Sequence, residues 1–67
     1  MMEIWINGDR RCFPTGTTIA ALLEQLELNP RYLAVERNLQ IVPRAEHAVC
    51  MLQAEDRVEI VTLVGGG

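Results

Sequence analysis

The side chains that could carry out catalysis are few in this sequence. His47 is the only histidine, and Cys50 follows at the spacing of neighbours on one helical turn. A nucleophilic pair would need the imidazole to activate the thiol, whereas lone cysteines are most often small buried residues. We therefore interpret Cys12 and Cys50 as ordinary buried cysteines, and a Cys–His pair is the alternative for Cys50.

Three carboxylates, Glu55, Asp56 and Glu59, cluster near the last apolar run. Two of them could act as acid and base, but a solvated acidic turn is the simpler interpretation. One histidine and two distant cysteines, Cys12 and Cys50, do not have the spacing of a zinc site. The residues therefore indicate a substrate or carrier for other enzymes and not a catalyst.

Three glycines, Gly65, Gly66 and Gly67, follow the apolar run "RVEIVTLV". Because glycine has no side chain, an extended glycine tail can pass through a narrow cleft and let backbone groups approach closely. A terminal glycine also offers an unhindered carboxylate for activation by another protein. Small residues at a terminus are often slack chain. The tail by itself therefore supports two interpretations equally, a carboxylate meant for activation and a slack end.

Composition restricts the class of protein. The 67 residues are enough for one domain, and 49% hydrophobic with 22% charged residues is typical of a globular chain. A net charge of −3 without a basic stripe argues against a nucleic-acid partner. No apolar run reaches the roughly 20 residues of a membrane helix, and the start of the chain does not resemble a signal peptide. We expect a cytoplasmic protein with reduced thiols and no membrane partner.

The first half of the chain predicts a hairpin and a helix. "MEIWIN" alternates as a half-buried strand does, and Asn7-Gly8 supplies the positive φ angles of a tight turn into "RRCF". Thr17 or Thr18 can cap the helix predicted for "TTIAALLEQLEL", and Pro30 prevents its continuation. The apolar face of this helix consists of Ile19, Leu22, Leu23 and Leu26.

The second half predicts three strands. "YLAVER" places Leu33 and Val35 on one face, and a short turn leads into the edge strand "IV", closed by Pro43. After a loop with a helical turn, "RVEIVTLV" is typical of a strand that is covered on both sides or central in its sheet. This order predicts a two-layer α+β domain, a β-grasp with a mixed four- to five-stranded sheet and one crossing helix.

The series "AVERN", "IVPR", "VEIV" and "VGGG" resembles the ThiS family, the bacterial sulfur carriers of thiamin biosynthesis, which have a ubiquitin-like β-grasp fold. The similarity covers nearly the whole chain. It implies a β-grasp domain over residues 1–64 and a flexible tail over residues 65–67. Two positions depart from the family: His47 stands where tryptophan is frequent, and Glu55 stands where glycine commonly precedes the aspartate.

The resemblance implies a route for sulfur. An E1-like, ThiF-type adenylyltransferase would use ATP to adenylate the carboxylate of Gly67. A persulfide on a sulfurtransferase or cysteine desulfurase would then supply the sulfur of a thiocarboxylate, and a ThiG-type thiazole synthase would take it. The carrier itself would bind no cofactor. Gly65 and Gly66 match the family's tail, and Leu63 and Val64 are candidate docking residues, with ordinary strand packing as the alternative for Leu63.

Other functions share this pattern. A carrier for another pathway, such as the small subunit of molybdopterin synthase, also ends in Gly-Gly but is usually longer. A ubiquitin-like protein modifier is a second alternative, and the absence of lysine excludes only self-linked chains. A β-grasp binding module with a slack tail is a third.

Overall fold

The computed structural model describes residues 1–63, in which one α-helix packs against one face of a five-stranded sheet. The strands are β1 (Met2–Ile6), β2 (Asp9–Phe13), β3 (Leu33–Arg37), β4 (Gln40–Ile41) and β5 (Arg57–Thr62). The helix α1 covers Ile19–Gln25, and two 3-10 turns cover Pro30–Tyr32 and Arg44–Glu46. The predicted α+β β-grasp with a mixed sheet and one crossing helix is confirmed.

The strand order β2-β1-β5-β3-β4 places β5 at the centre. β5 runs parallel to β1 and antiparallel to β3, and α1 lies in the crossover that the parallel pair requires. The central position predicted for this strand is confirmed, but only one of its faces is covered. Arg57 and Glu59 are exposed, whereas Val58 between them is buried, because the helix packs on one side of the sheet only.

The turn between β1 and β2 has the predicted geometry. Asn7 and Gly8 both have positive φ, 49° and 86°. Two such residues form the two-residue turn whose twist matches that of the flanking strands.

The helix begins as predicted but ends earlier. The side chain of Thr18 accepts a hydrogen bond from the N–H of Ala21, which is an N-cap. At the other end Glu27 has a φ of 58°, and the N–H of Leu28 donates to the carbonyl of Leu23 at 2.9 Å. This bond and the left-handed residue form a Schellman motif. The helix therefore ends at its own C-cap, ahead of Pro30.

The core lies between α1 and the sheet. Within residues 1–63, its ten buried hydrophobic residues include three of the four residues of the predicted helix face and inward residues of the strands: Met2, Ile4, Ile6, Phe13, Ile19, Leu22, Leu23, Val35, Leu52 and Val58. Leu26 is partly buried against this cluster. Within residues 1–63, no helix is long and apolar enough to cross a membrane.

Replacing Leu23 should destabilise this small core strongly. Its side chain is 1% exposed, so Leu23→Ala should lower the free energy of unfolding by about 2–5 kcal/mol through lost burial and a residual cavity. Denaturant unfolding measures this loss. The matched control is Leu39→Ala, because Leu39 is 89% exposed and should change stability by less than about 0.5 kcal/mol. Equal effects in the two variants would contradict the packing of α1 described above.

Candidate functional site

The candidate site is the end of β5, where the chain leaves the sheet towards its glycines. The described residues end at Leu63. Val64, Gly65, Gly66 and Gly67 lie outside them, so their predicted roles in docking, in the tail and in carrying sulfur stay predictions. What the structure does define is the frame from which these residues depart.

On one edge, β3 holds the end of β5. Thr62 lies opposite Leu33, and the N–H of Leu63 donates to the carbonyl oxygen of Tyr32 at 2.8 Å. The side chain of Leu63 is 53% exposed, as is typical of a residue that the core does not need. On the sheet face that α1 leaves uncovered, the alternation along β3 and β5 places three residues together, which we call the exit patch: Ala34, Val61 and Leu63.

On the other edge, the side chain of Asn7 extends the short pairing of β1 with β5. The backbone N–H of Asn7 donates to Val58 O at 2.9 Å. Its amide group then donates to Ile60 O at 3.1 Å and accepts from Ile60 N at 2.7 Å. One side chain thus replaces the next residue of a neighbouring strand. The local sequence pattern indicates Asn7 only as a turn residue, because this contact depends on tertiary structure.

At its start, β5 is anchored by the carboxylate of Asp56, which is 6% exposed. This group accepts hydrogen bonds from Arg37 Nε at 2.8 Å, Asn38 Nδ2 at 3.1 Å and Gln53 N at 2.8 Å. Asn38 in turn accepts a bond from the N–H of Arg57 at 2.9 Å. The interpretation as a solvated acidic turn is therefore wrong for Asp56, which joins the β3–β4 turn to the start of β5.

Hydrogen bonds to its carboxylate keep Asp56 ionised. Burial by itself would raise its pKa, but the hydrogen bonds from Gln53, Asn38 and Arg37 outweigh burial and hold the pKa below the ordinary value of 3.8. The hydrogen bond to Asp56 raises the pKa of Arg37 in turn, against partial burial. Both side chains are therefore charged at neutral pH, and the Asp56 carboxylate serves to hold neighbouring segments together.

The uncovered sheet face carries a charged aromatic cluster. The guanidinium carbons of Arg10 and Arg57 lie 5.2 Å and 5.0 Å from the centre of the Trp5 ring. Arg10 also contacts Glu3 at 2.6 Å and Glu55 at 3.2 Å. Glu55 has a φ of 69°, which lies in the left-handed region that favours glycine.

The remaining candidate side chains do not form a catalytic group. His47 is buried, and its Nε2 lies 3.1 Å from Val42 O, to which it donates. Within residues 1–63 its Nδ1 has no hydrogen-bond partner, so the alternative of a hydrogen-bonded Cys50–His47 pair is wrong. The prediction of a buried cysteine is wrong for Cys12, which is exposed on β2, whereas Cys50 is partly buried; both are free thiols. No metal-binding group of three histidine, cysteine or acidic residues occurs in the described part of the chain.

Comparison with known proteins identifies a family match. Residues 4–67 match the ThiS family. The sulfur carrier protein ThiS of Escherichia coli is 33% identical over 98% of this chain and 100% of its own length. A crystal structure of the thiamine biosynthesis protein ThiS from Geobacter metallireducens superposes with a TM-score of 0.86 at 25% identity, covering 98% of this chain and 100% of that one.

A further relative has a different architecture. A thiazole synthase of Paramagnetospirillum magneticum is 44% identical over 98% of this chain. The chain spans only 20% of the length of that protein. A segment similar to this domain therefore also occurs inside a longer polypeptide.

Asn7→Gly should loosen the end of β5 without changing the turn. Glycine accepts the positive φ of this position, so the variant removes only the side-chain amide group that bonds to the N–H and C=O of Ile60. Two lost hydrogen bonds should cost about 1–3 kcal/mol and speed amide exchange at Ile60. The amide of Glu59, which faces β3, is the internal control. Unchanged exchange at Ile60 in this variant would show that the side chain does not hold the strand.

Acid should remove the stabilisation that Asp56 provides. Because its folded pKa is lowered, this contribution is complete above 3.8 and is lost as the pH falls through the lower folded value. Asp56→Asn should reduce stability at neutral pH by about 1–3 kcal/mol, and the difference from the native chain should shrink below pH 3.8. Urea unfolding across pH measures both curves. Asp9→Asn, at an exposed aspartate, is the control, and a difference that does not depend on pH would contradict this role.

Proposed function

The chain belongs to the ThiS family, and we propose that it carries sulfur for thiazole formation in thiamin biosynthesis. In this proposal the sulfur is held as a thiocarboxylate on Gly67. The observation that carries the proposal is the extent of the match, which includes both the β-grasp domain and the three glycines, residues 4–67.

The proposed chemistry begins at the carboxylate of Gly67. Attack of this carboxylate on the α-phosphate of ATP, bound by a ThiF-type adenylyltransferase, gives an acyl-adenylate and releases pyrophosphate. The outer sulfur of a persulfide on a sulfurtransferase or cysteine desulfurase then attacks the acyl carbon and displaces AMP, which gives an acyl disulfide between the carrier and the donor. A thiol of a partner enzyme attacks the donor sulfur of this bond, so that the thiocarboxylate leaves and a disulfide remains on the partner side. A ThiG-type thiazole synthase is the acceptor. ATP and the sulfur donor are bound by these cytoplasmic partners, and the carrier holds no cofactor of its own.

The described residues suit a co-substrate of other enzymes. Asp56 and His47, the two buried ionisable side chains within residues 1–63, are engaged in hydrogen bonds to neighbouring parts of the domain. The exit patch lies beside the point where β5 ends, and Leu63 within it is exposed. We propose that Leu63 and Val64 contact the partner enzymes while the glycines enter the active site. This gives the docking role to side chains and the chemical role to the terminal carboxylate.

Appending one alanine after Gly67 should abolish carrier function and leave the fold unchanged. The extension moves the reactive carboxylate, and small misplacements of reacting groups can cost about 10²-fold in rate. ATP–pyrophosphate exchange with the ThiF-type enzyme measures activation directly. The extended chain should have the same melting temperature as the native chain, because the added residue alters no core residue.

Growth of strains that require thiazole or molybdopterin separates the possible pathways. The native chain should restore only the thiazole-requiring strain, and the alanine-extended chain should restore neither. Equal activity of the extended chain, with intact mass proving that the alanine is still present, would contradict the proposal. Restoration of only the molybdopterin-requiring strain would assign the carrier to that pathway.

A further inference from the structure

Strand β2 forms one edge of the sheet, and its outer side is open. In β1 and the turn after it, residues 3, 5 and 7 bond through their backbone groups to the segment 55–58. The alternate residues 2, 4 and 6 therefore direct their backbone groups to β2, where they pair with residues 13, 11 and 9. Arg10 and Cys12, which lie between these, consequently direct their N–H and C=O groups away from the sheet.

These outward groups of β2 have no partner in the described part of the chain. Within residues 1–63, no backbone hydrogen bond from outside the β1–β2 pair reaches Arg10 or Cys12. Their N–H and C=O groups are thus available at the two-residue spacing by which an antiparallel neighbour pairs. Extended segments of other proteins bind to such edges by adding a strand.

A groove lies along this open edge. It is lined by residues 10–13 of β2 and by Gln25 and Leu26 at the end of α1. Phe13 is buried and Leu26 is partly buried, so both add apolar surface to the groove. A strand added to β2 would therefore place every second side chain on the helix side, over Phe13 and Leu26.

Arg11 carries the charge that selects the partner. Its position opposite Ile4 places it on the helix side of β2, and it is exposed. Within residues 1–63, the Arg11 guanidinium forms no ion pair, whereas that of Arg10 contacts Glu3 and Glu55. A carboxylate on the added strand, at the position opposite Arg11, would give this guanidinium a cross-strand partner of opposite charge.

The same arginine disfavours a second copy of this chain as the occupant. An antiparallel pair of two β2 strands that joins Arg10 of one copy to Cys12 of the other places Arg11 directly opposite Arg11. Like charges at directly opposite positions destabilise a strand pair. Charged residues on edge strands protect them from self-association in this way. The charge that opposes self-pairing attracts a segment with a carboxylate.

We propose that the open edge of β2 binds an extended segment of another protein as an additional antiparallel strand. In N-to-C order, the segment presents an apolar residue opposite Phe13, an acidic residue opposite Arg11 and a polar residue opposite Asp9. Antiparallel pairing is favoured because it is slightly more stable per residue than parallel pairing. β1 separates β2 from β5, so the added strand leaves the exit patch uncovered. Failure of this pairing would leave the proposed sulfur chemistry unaffected.

Binding of synthetic peptides tests the charge pairing. The probe is a short peptide rich in β-branched residues, with isoleucine, glutamate and threonine at the three positions. Its analogue has lysine in place of the glutamate. The native chain should bind the glutamate peptide about 2- to 10-fold more tightly, because one exposed ion pair is gained and one like-charge contact is avoided.

Charge reversal in the carrier provides the matched test. Arg11→Glu should make the lysine peptide the tighter ligand. Arg44→Glu, an equal change of charge at an exposed arginine of the second 3-10 turn, should keep the native preference. Equal affinities of the two peptides for the native chain would overturn the proposal, as would the absence of binding by both.

Amide exchange locates the peptide on the edge. In the free chain the amides of Arg10 and Cys12 should exchange rapidly, whereas that of Arg11, which is paired with Ile4, should be protected. Saturation with the glutamate peptide should slow exchange at Arg10 and Cys12 by at least about 10-fold. Protection elsewhere without protection of these two amides overturns the edge pairing. Protection that appears in the free chain as its concentration rises would assign the edge to a second copy instead.

Methylation of a peptide nitrogen separates strand pairing from side-chain contact. A methyl group on the residue opposite Arg10 removes a donor and blocks the approach of the two backbones, so binding should weaken about 10-fold or more. Methylation of the residue opposite Arg11, whose N–H points away from β2, should have little effect. If both methylated peptides bind as tightly as the unmodified one, the segment is not paired with β2 and the proposal is wrong.

Discussion

Hydrogen bonding on both edges of β5 is the constraint on which the rest of the structure depends. At the start of the strand, the buried carboxylate of Asp56 accepts hydrogen bonds from Arg37 and from Asn38 in the β3–β4 turn. Near its end, Asn7 takes the place of a missing residue of β1. Because β5 is the central strand and also leads to the glycines, these bonds determine both how the sheet closes and where the tail departs.

The small core supports the same arrangement. A chain of this length buries a limited area, so a few fully buried residues of α1 and the strands must supply most of the hydrophobic stabilisation. Leu22 and Leu23 lie against the inward side chains of β5 and its neighbours, Val58 among them. The opposite sheet face does not contribute to this core, and it carries the Trp5 cluster and the exit patch. Core packing thus uses one face of the sheet, and the other face stays uncovered.

Local patterns were sufficient to predict most of the fold. The Asn7-Gly8 turn, the face of α1 and the central position of β5 follow from residue periods and turn chemistry, which act within a few positions. The C-terminus of α1 was predicted too late, because the Schellman motif places Glu27, a residue not favoured there, at positive φ. The side-chain bonds of Asn7 and Asp56 join residues 53 and 19 positions apart in the chain, and no local pattern reveals such pairs. The glycines are visible in the sequence and their role stays a prediction, whereas the long-range bonds that hold β5 ahead of them could not be predicted.

Top-down mass spectrometry of the carrier, after reaction with the ThiF-type enzyme, ATP and a sulfur donor, tests the central claim most directly. The account predicts that one oxygen is replaced by one sulfur and that fragmentation locates the sulfur in the residue at position 67. A variant with serine in place of Cys12 and Cys50 should give the same result, because both thiols lie outside the proposed chemistry. Sulfur found as a persulfide on either cysteine, with the Gly67 carboxylate unchanged, would contradict the account.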